Sequence, residues 1–224
     1  MSTHQLPDPK IIKNIIFDFG GVLFNIDYQA PARAFKSLGM TNFEEIYAQA
    51  GQTPLFDELE KGTISQEDFI QELAKYLPRA VRPKEIKDAW NIILLDIPKE
   101  RVELVHALKS KYRTFLLSNT NAIHVADFEQ TVDETMGLDY FKSAFEKVYY
   151  SNEIGIKKPY PETYLEVCRW NGLKPEETLF IDDSIQHVKG AQEAGLHAYH
   201  LDLAHTDIVT AMQPFIAELS ANPK

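Results

Sequence analysis

Four places in this chain hold residues of the types and spacing needed to do chemistry: Asp18, Ser118 with Asn119, Lys158, and the pair Asp182 and Asp183. Carboxylates brought together from different strands make an all-oxygen site suited to a hard cation, magnesium first. A lysine and a hydroxyl facing that cation are what a phosphoryl group needs. A carboxylate can also act as a nucleophile, through an aspartyl-phosphate. Each residue has a plainer reading alone: strand-end cap for Asp18, loop residue for Ser118, solvated charge for Lys158, helix N-cap for Asp182 and Asp183. Convergence in space is what would make them a site.

The elements around them supply that convergence. The run Ile15-Ile16-Phe17-Asp18-Phe19-Gly20-Gly21-Val22 is apolar up to its single aspartate and then crosses two glycines. It reads as a buried strand of a parallel sheet, followed by a sharp turn. Arg113 to Leu117 reads as a strand ending on Ser118, and Phe145 to Tyr150 as one ending at Ser151. Thr178 to Ile181 ends on Asp182, and His197 to Leu201 is a fifth strand. Helices are expected between them, one from Pro161 to Trp170 stopped by Asn171-Gly172, and a terminal one over 207–219. In a parallel sheet the carboxyl ends of the strands share one edge, where ligands bind. Between Gln29 and Ile97 no strand is evident. Five helices are expected there instead, opened by Ala30, Asn42, Pro54, Ser65 and Pro83. A helical block cannot continue a parallel sheet, so it forms a separate layer.

Composition narrows the class of function. The chain has 224 residues, 44% hydrophobic and 25% charged, enough for a substantial core. With 23 basic and 33 acidic side chains the net charge is -10, which makes nucleic acid and anionic membrane poor partners. A phosphorylated substrate stays possible, because a metal ion reverses the local field. Cys168 is the sole cysteine, so no internal disulfide is expected, and its apolar neighbours make it a buried small side chain. The stretch Met1 to Lys10 has no apolar core of a signal peptide, and no apolar run is long enough to span a bilayer, so a cytoplasmic protein is expected.

Taken together and in order, these motifs resemble those of the haloacid dehalogenase (HAD) superfamily, from Ile15 to about Leu201. Asp18-Phe19-Gly20-Gly21-Val22 matches the first motif, whose leading Asp is the family's nucleophile. Leu116-Leu117-Ser118-Asn119 matches the second, whose hydroxyl binds phosphate; Lys158-Pro159 matches the third; Phe180-Ile181-Asp182-Asp183 matches the fourth, whose acids hold magnesium. The resemblance implies a Rossmann-like α/β core, a five-stranded parallel sheet flanked by helices over 1–25 and 98–224, with an all-helical type 1 cap over 26–97. It implies a magnesium-dependent phosphatase of a small phosphorylated metabolite, sugar phosphates preferred. Asp18 is then the nucleophile; Asp18, the carbonyl of Gly20 and Asp183 are direct metal ligands; Asp182 acts through a metal-bound water. Ser118, Lys158 and Asn119 hold the phosphoryl group. A monomer or a homodimer is expected.

One position departs from the pattern. Most phosphatases of this family carry a second Asp two residues after the nucleophile, as general acid and base; here that residue is Gly20. A similar glycine occurs in a branch that includes glucose-1-phosphate phosphatases, where an anomeric leaving group needs less protonation. Asp27 is a possible stand-in, with a hinge or cap role as its plainer reading. His197 and His200 point to opposite faces of a strand and cannot share a metal. His187 is expected to be exposed; His124 starts a helix near Ser118 and could touch substrate, with a structural role preferred. The aromatic set Phe43, Tyr47, Phe56, Phe69 and Trp90 reads as the core of the helical block, with some members facing substrate. The rival readings are a metal-free dehalogenase, which would have no use for Asp182-Asp183; a phosphonatase, which would need a Schiff-base lysine in the cap; and a catalytically silent binding protein on the same fold.

Overall fold

The computed structural model describes residues 5–49 and 54–221. Five parallel strands form one sheet in the order β3-β2-β1-β4-β5: β1 is Asn14–Phe17, β2 Arg113–Ser118, β3 Lys147–Tyr150, β4 Thr178–Asp182 and β5 His197–His200. The first strand is thus the centre of the sheet, with β2 and β4 as its neighbours. Residues of β1, β2 and β4 alternate between two apolar clusters, as strand geometry requires. Ile15, Phe17, Leu116, Leu179 and Ile181 face one, and Ile16, Phe115, Leu117 and Phe180 face the other.

The helices follow in chain order. After β1 come α1 (Ala30–Ser37), α2 (Phe43–Gln49), α3 (Pro54–Glu60), α4 (Gln66–Ala74) and α5 (Pro83–Asn91). Then α6 (Lys99–Leu108) precedes β2, and α7 (Ala122–Met136) and α8 (Leu138–Ser143) follow it. The short α9 (Ser151–Ile154) and α10 (Pro161–Asn171) link β3 to β4; α11 (Ile185–Glu193) links β4 to β5. The chain closes with α12 (Ile208–Ala211) and α13 (Gln213–Ala221), where one terminal helix was expected. Local chemistry sets several ends. Ser65 caps α4 by accepting the Asp68 N–H, Pro83 and Pro161 stand in first turns, and Gly172 ends α10 in the left-handed conformation.

Helices α1 to α5 bury their own cluster, including Phe35, Phe56, Leu59, Phe69, Ile86 and Trp90. Ile123, at the start of α7, is the core's contribution to that cluster. Two crossing segments join the helical block to the sheet. Ile26 bridges Leu94 in antiparallel fashion, and Asn25 and Asp27 donate backbone N–H groups to Asp96 and Ile93 at 2.7 and 2.9 Å. No helix among the described residues is long and apolar enough to cross a membrane.

Candidate active site

Asp18 follows the last residue of β1, Ser118 ends β2, and Asp182 ends β4, so adjacent central strands deliver all three to one edge. Lys158 joins them from the loop between α9 and α10. Its ammonium donates to Asp18 Oδ1 at 2.6 Å and to Asp182 Oδ2 at 2.7 Å, and its side chain is fully buried. A buried cation keeps its charge only when paired. Here the two carboxylates outweigh burial and push the Lys158 pKa up.

Asn119 supports this lysine from below. Its amide accepts the Lys158 backbone N–H and donates to the Lys158 carbonyl, both at 2.9 Å. That commits Oδ1 and one N–H to holding the loop, and leaves one N–H for a ligand. On the other side α11 packs so closely that a Cβ at Gly190 would lie 1.8 Å from the Pro159 carbonyl oxygen. Ser118, buried at 4% exposure, lines the cavity beside Asp18.

Asp18, Asp182 and Asp183 each place a carboxylate oxygen within 4.8 Å of the others. Asp182 is already engaged: Lys158 and the Ser184 N–H donate to it, both at 2.7 Å, and His187 Nδ1 lies within hydrogen-bond distance of both its oxygens. Asp18 and Asp183 retain oxygens directed to a shared space. Tyr28 donates its hydroxyl to Asp183 Oδ2 at 3.1 Å. The backbone turn presses on the same carboxylate, because a Cβ at Gly21 (φ 79°) would sit 2.4 Å from Asp183 Oδ2. Three carboxylates, no thiolate, and a glycine cradle fit a hard divalent cation, and magnesium is the cofactor this donor set suits.

The electrostatics of the cluster lead to a testable pH dependence. Burial, then the charge of Asp182, raises the Asp18 pKa to about 6; burial, then the charges of Asp18 and Asp182, raises that of Asp183 to about 7. Both carboxyls therefore bind more protons folded than unfolded between about pH 4 and 7. Stability must fall as pH rises through that window. Metal binding must displace those protons. The melting temperature of chelator-treated protein is expected to drop from pH 5 to pH 8, and magnesium to raise it more at pH 8 than at pH 5. A flat profile in chelator would reject the raised pKa values of Asp18 and Asp183.

Two residues stand elsewhere than the preferred site reading would put them, and a third joins the cavity wall. His187 is not exposed: its ring covers Asp182, with Nδ1 3.0 Å from Oδ2. Its place one turn into α11 aims it back at the strand end. Asp27 takes the plainer of its two readings, in the hinge. It accepts the Gln29 N–H at 2.9 Å and pairs with Arg33, which holds its pKa down. Its side chain is absent from the cavity wall, where its neighbour Tyr28 stands. His124 does line the cavity, stacked on Trp90 with ring centroids 5.0 Å apart. Cys168 is buried in α10 as expected, its thiol pushed up to about 11 by burial.

The cavity above the carboxylates measures about 470 Å³, within the range of small-molecule sites. Tyr47, Phe56, Asp57, Glu60 and Trp90 of the helical block form its roof. Lys157 ties that roof to the core, with its ammonium 3.0 Å from Asp57 and 2.6 Å from Glu60. The link is tightened where Gly62 (φ 66°) meets the core, since a Cβ there would fall 2.1 Å from the Asn152 carbonyl oxygen.

The chain resembles known proteins along most of its length. The family model for haloacid dehalogenase-like hydrolases matches residues 12–195. The D-ribitol-5-phosphate phosphatase of Bacteroides thetaiotaomicron is 30% identical over 189 residues, covering 84% of this chain and 91% of that protein. Among solved structures, an HAD family enzyme of Bacteroides thetaiotaomicron in complex with magnesium and inorganic phosphate is 36% identical. It superposes with a TM-score of 0.76, over 87% of this chain and 96% of that one. A predicted HAD-like family hydrolase from Porphyromonas gingivalis is 35% identical at a TM-score of 0.79, over 95% and 99% of the two chains. The motifs, the sheet that gathers them and these matches agree: the chain is a hydrolase of the haloacid dehalogenase-like family.

Proposed function

We propose that this enzyme is a magnesium-dependent phosphatase of a small sugar or polyol phosphate, working through an aspartyl-phosphate on Asp18. The observation that carries the reading is the clustering of the Asp18, Asp182 and Asp183 carboxylates, two of them, Asp18 and Asp182, paired with the buried ammonium of Lys158. The similarity to a ribitol-phosphate phosphatase and to a magnesium and phosphate complex supports it.

The roles follow from position. An oxygen of Asp18 attacks phosphorus in line, and the bond from phosphorus to the leaving oxygen breaks. Lys158 and Ser118, with the spare N–H of Asn119, hold the transferred group; water then hydrolyses the acyl phosphate. Asp18, the Gly20 carbonyl and Asp183 would hold magnesium, and Asp182, already engaged by Lys158, would act through a coordinated water. Bound there, the cation neutralises charge on the phosphoryl oxygens. A dehalogenase needs no such cluster, and a silent binding protein needs no buried lysine aimed at a carboxylate. Residues 26–97 form the cap that roofs the site, and 1–25 with 98–224 form the core.

Gly20 leaves the usual acid position without a proton donor, and general acid help is worth about 10²–10⁴-fold. The test is kcat/KM across phosphate esters of graded leaving-group pKa, sugar and polyol phosphates included, with magnesium or with chelator. Turnover is expected in magnesium alone, with a steep dependence favouring anomeric, aryl and acyl phosphates over primary alkyl ones. Gly20→Asp is expected to flatten that dependence. Its Cβ would meet only the flexible Ile26 side chain, at 3.1 Å, so the substitution fits with a small shift. Full activity in chelator would overturn the proposal, and a shallow dependence unmoved by Gly20→Asp would overturn the account of Gly20.

A further inference from the structure

The cavity wall also contains a histidine whose protonation pattern is set by its neighbours. His124 stands in the first turn of α7, where the N-cap Asn121 side chain accepts its backbone N–H at 3.1 Å. Its ring stacks on Trp90, and its Nδ1 lies 2.7 Å from Asn91 Oδ1. The Asn91 amide has no choice of orientation. Its nitrogen faces two acceptors, the Ile123 carbonyl and the Asp127 carboxylate, so its oxygen must face the imidazole. Nδ1 of His124 therefore carries the proton, and Nε2 presents a lone pair. Among the described residues nothing bonds Nε2, and the ring lines the cavity. Burial holds the imidazole neutral by pulling its pKa down to about 3.

The charges around that lone pair restrict what it can meet. Among the described residues the amine cations lining the cavity are Lys157 and Lys158, and each is already engaged by two carboxylates. The phosphoryl group takes Lys158. A second anionic group on the substrate would face the Nε2 lone pair and the carboxylates of Asp57 and Glu60 with no uncommitted cation. A hydroxyl, in contrast, can donate to Nε2 and lie against the aromatic wall of Trp90.

We infer that His124 is a specificity-determining residue whose Nε2 accepts a hydrogen bond from a hydroxyl of the substrate's non-phosphorylated end, with cap residue Asn91 as its positioning partner, so that the enzyme selects hydroxylated monophosphates over bisphosphates and phosphorylated acids. This rests on the sugar or polyol phosphate reading above. A site built to pair a hydroxyl rejects the analogue lacking it, because the buried acceptor is left unpaired.

The experiment measures kcat and KM for a pentitol 5-phosphate, its mono-deoxy analogues and the corresponding aldonic acid phosphate. In wild type, one deoxy position is expected to lose at least about tenfold in kcat/KM, mainly in KM, and the acid to be at least as poor. His124→Phe keeps the stack on Trp90 and removes the lone pair. It is expected to bring the deoxy penalty below about threefold, as net hydrogen-bond strengths imply. Nitrogen-15 shifts of wild-type His124 supply a second readout, independent of any variant's folding, and are expected to show protonated Nδ1 and unprotonated Nε2. A deoxy penalty unchanged in a folded His124→Phe, or a protonated Nε2, would overturn the inference. Turnover of other phosphate esters but of no pentitol or sugar phosphate would overturn the substrate reading, and this inference with it.

Discussion

Asp18→Asn is expected to lower kcat by about 10⁴-fold or more while leaving the fold intact, a loss on the scale seen when a covalent nucleophile is removed. An amide nitrogen has no lone pair to spend on phosphorus, and the amide oxygen is a far weaker nucleophile than a carboxylate. The fold should tolerate the change, because the amide keeps one oxygen to accept from Lys158, at 2.6 Å in the native protein. Stability should move the other way from activity. Native Asp18 is held above its ordinary pKa, at about 6, so at pH 8 its ionised form opposes folding in the absence of metal. Neutral Asn removes that opposition. The melting temperature of Asp18→Asn in chelator at pH 8 should equal or exceed that of wild type, and the gap should vanish at pH 5. Steady-state turnover and thermal unfolding at the two pH values check both halves. Turnover within tenfold of wild type would reject the covalent mechanism.

Sequence reasoning reached the sheet and the carboxylates for one physical reason: both are written in short local patterns. Apolar runs ending in a polar residue mark buried parallel strands, and parallel strands end on one edge. Asp18, Ser118 and Asp182 could therefore be placed together from their positions alone. The helical block after β1 was legible from Ser65, Pro83 and its apolar spacing. What was not legible depended on side-chain direction across long sequence separations. Asn119 was expected to touch the phosphoryl group, yet most of its amide braces the backbone of Lys158, 39 residues away. His187, half-buried against Asp182, owes its place to the angle at which α11 leaves β4. A signal did exist for it, since a residue one turn into a helix after a strand-end acid points back at that acid. Asp27 reads as an acid near the site because it stands at the hinge after the first motif; Arg33, six residues on, pairs with it instead. The pinned tautomer of His124 needs Asn91 and Asp127 at once, from two different structural layers, and is invisible one residue at a time.

Lys158→Met gives the sharpest test of how this site is held together. Methionine matches the length of the lysine stem and removes only the ammonium, so packing against Phe180, whose ring centroid lies 5.4 Å from Nζ, is largely kept. Two buried carboxylates, Asp18 and Asp182, then lose their shared cation. Breaking a buried pair in this way costs about 3–5 kcal/mol, because the partner charge is left uncompensated. Asp182 retains His187 and the Ser184 N–H, so Asp18 bears more of the loss. Protonation relieves it: the destabilisation should be large at pH 8, where Asp18 would be charged, and much smaller at pH 5. Magnesium should recover part of the stability at pH 8 by standing in as the missing positive charge. It should not recover turnover, since the cation cannot occupy the position from which Lys158 reaches the transferred phosphoryl group. A loss of about 10³-fold in kcat/KM is expected with magnesium saturating, in line with the removal of one charged stabiliser from a buried site. Urea unfolding at the two pH values, with and without magnesium, reads the structural half, and phosphatase assays read the catalytic half. If Lys158→Met were as stable as wild type at pH 8 in chelator, the ammonium would not be what permits the carboxylates of the central strands to lie this close. The cluster would then have to be neutral in the metal-free protein, and the rise in melting temperature produced by magnesium would no longer grow with pH.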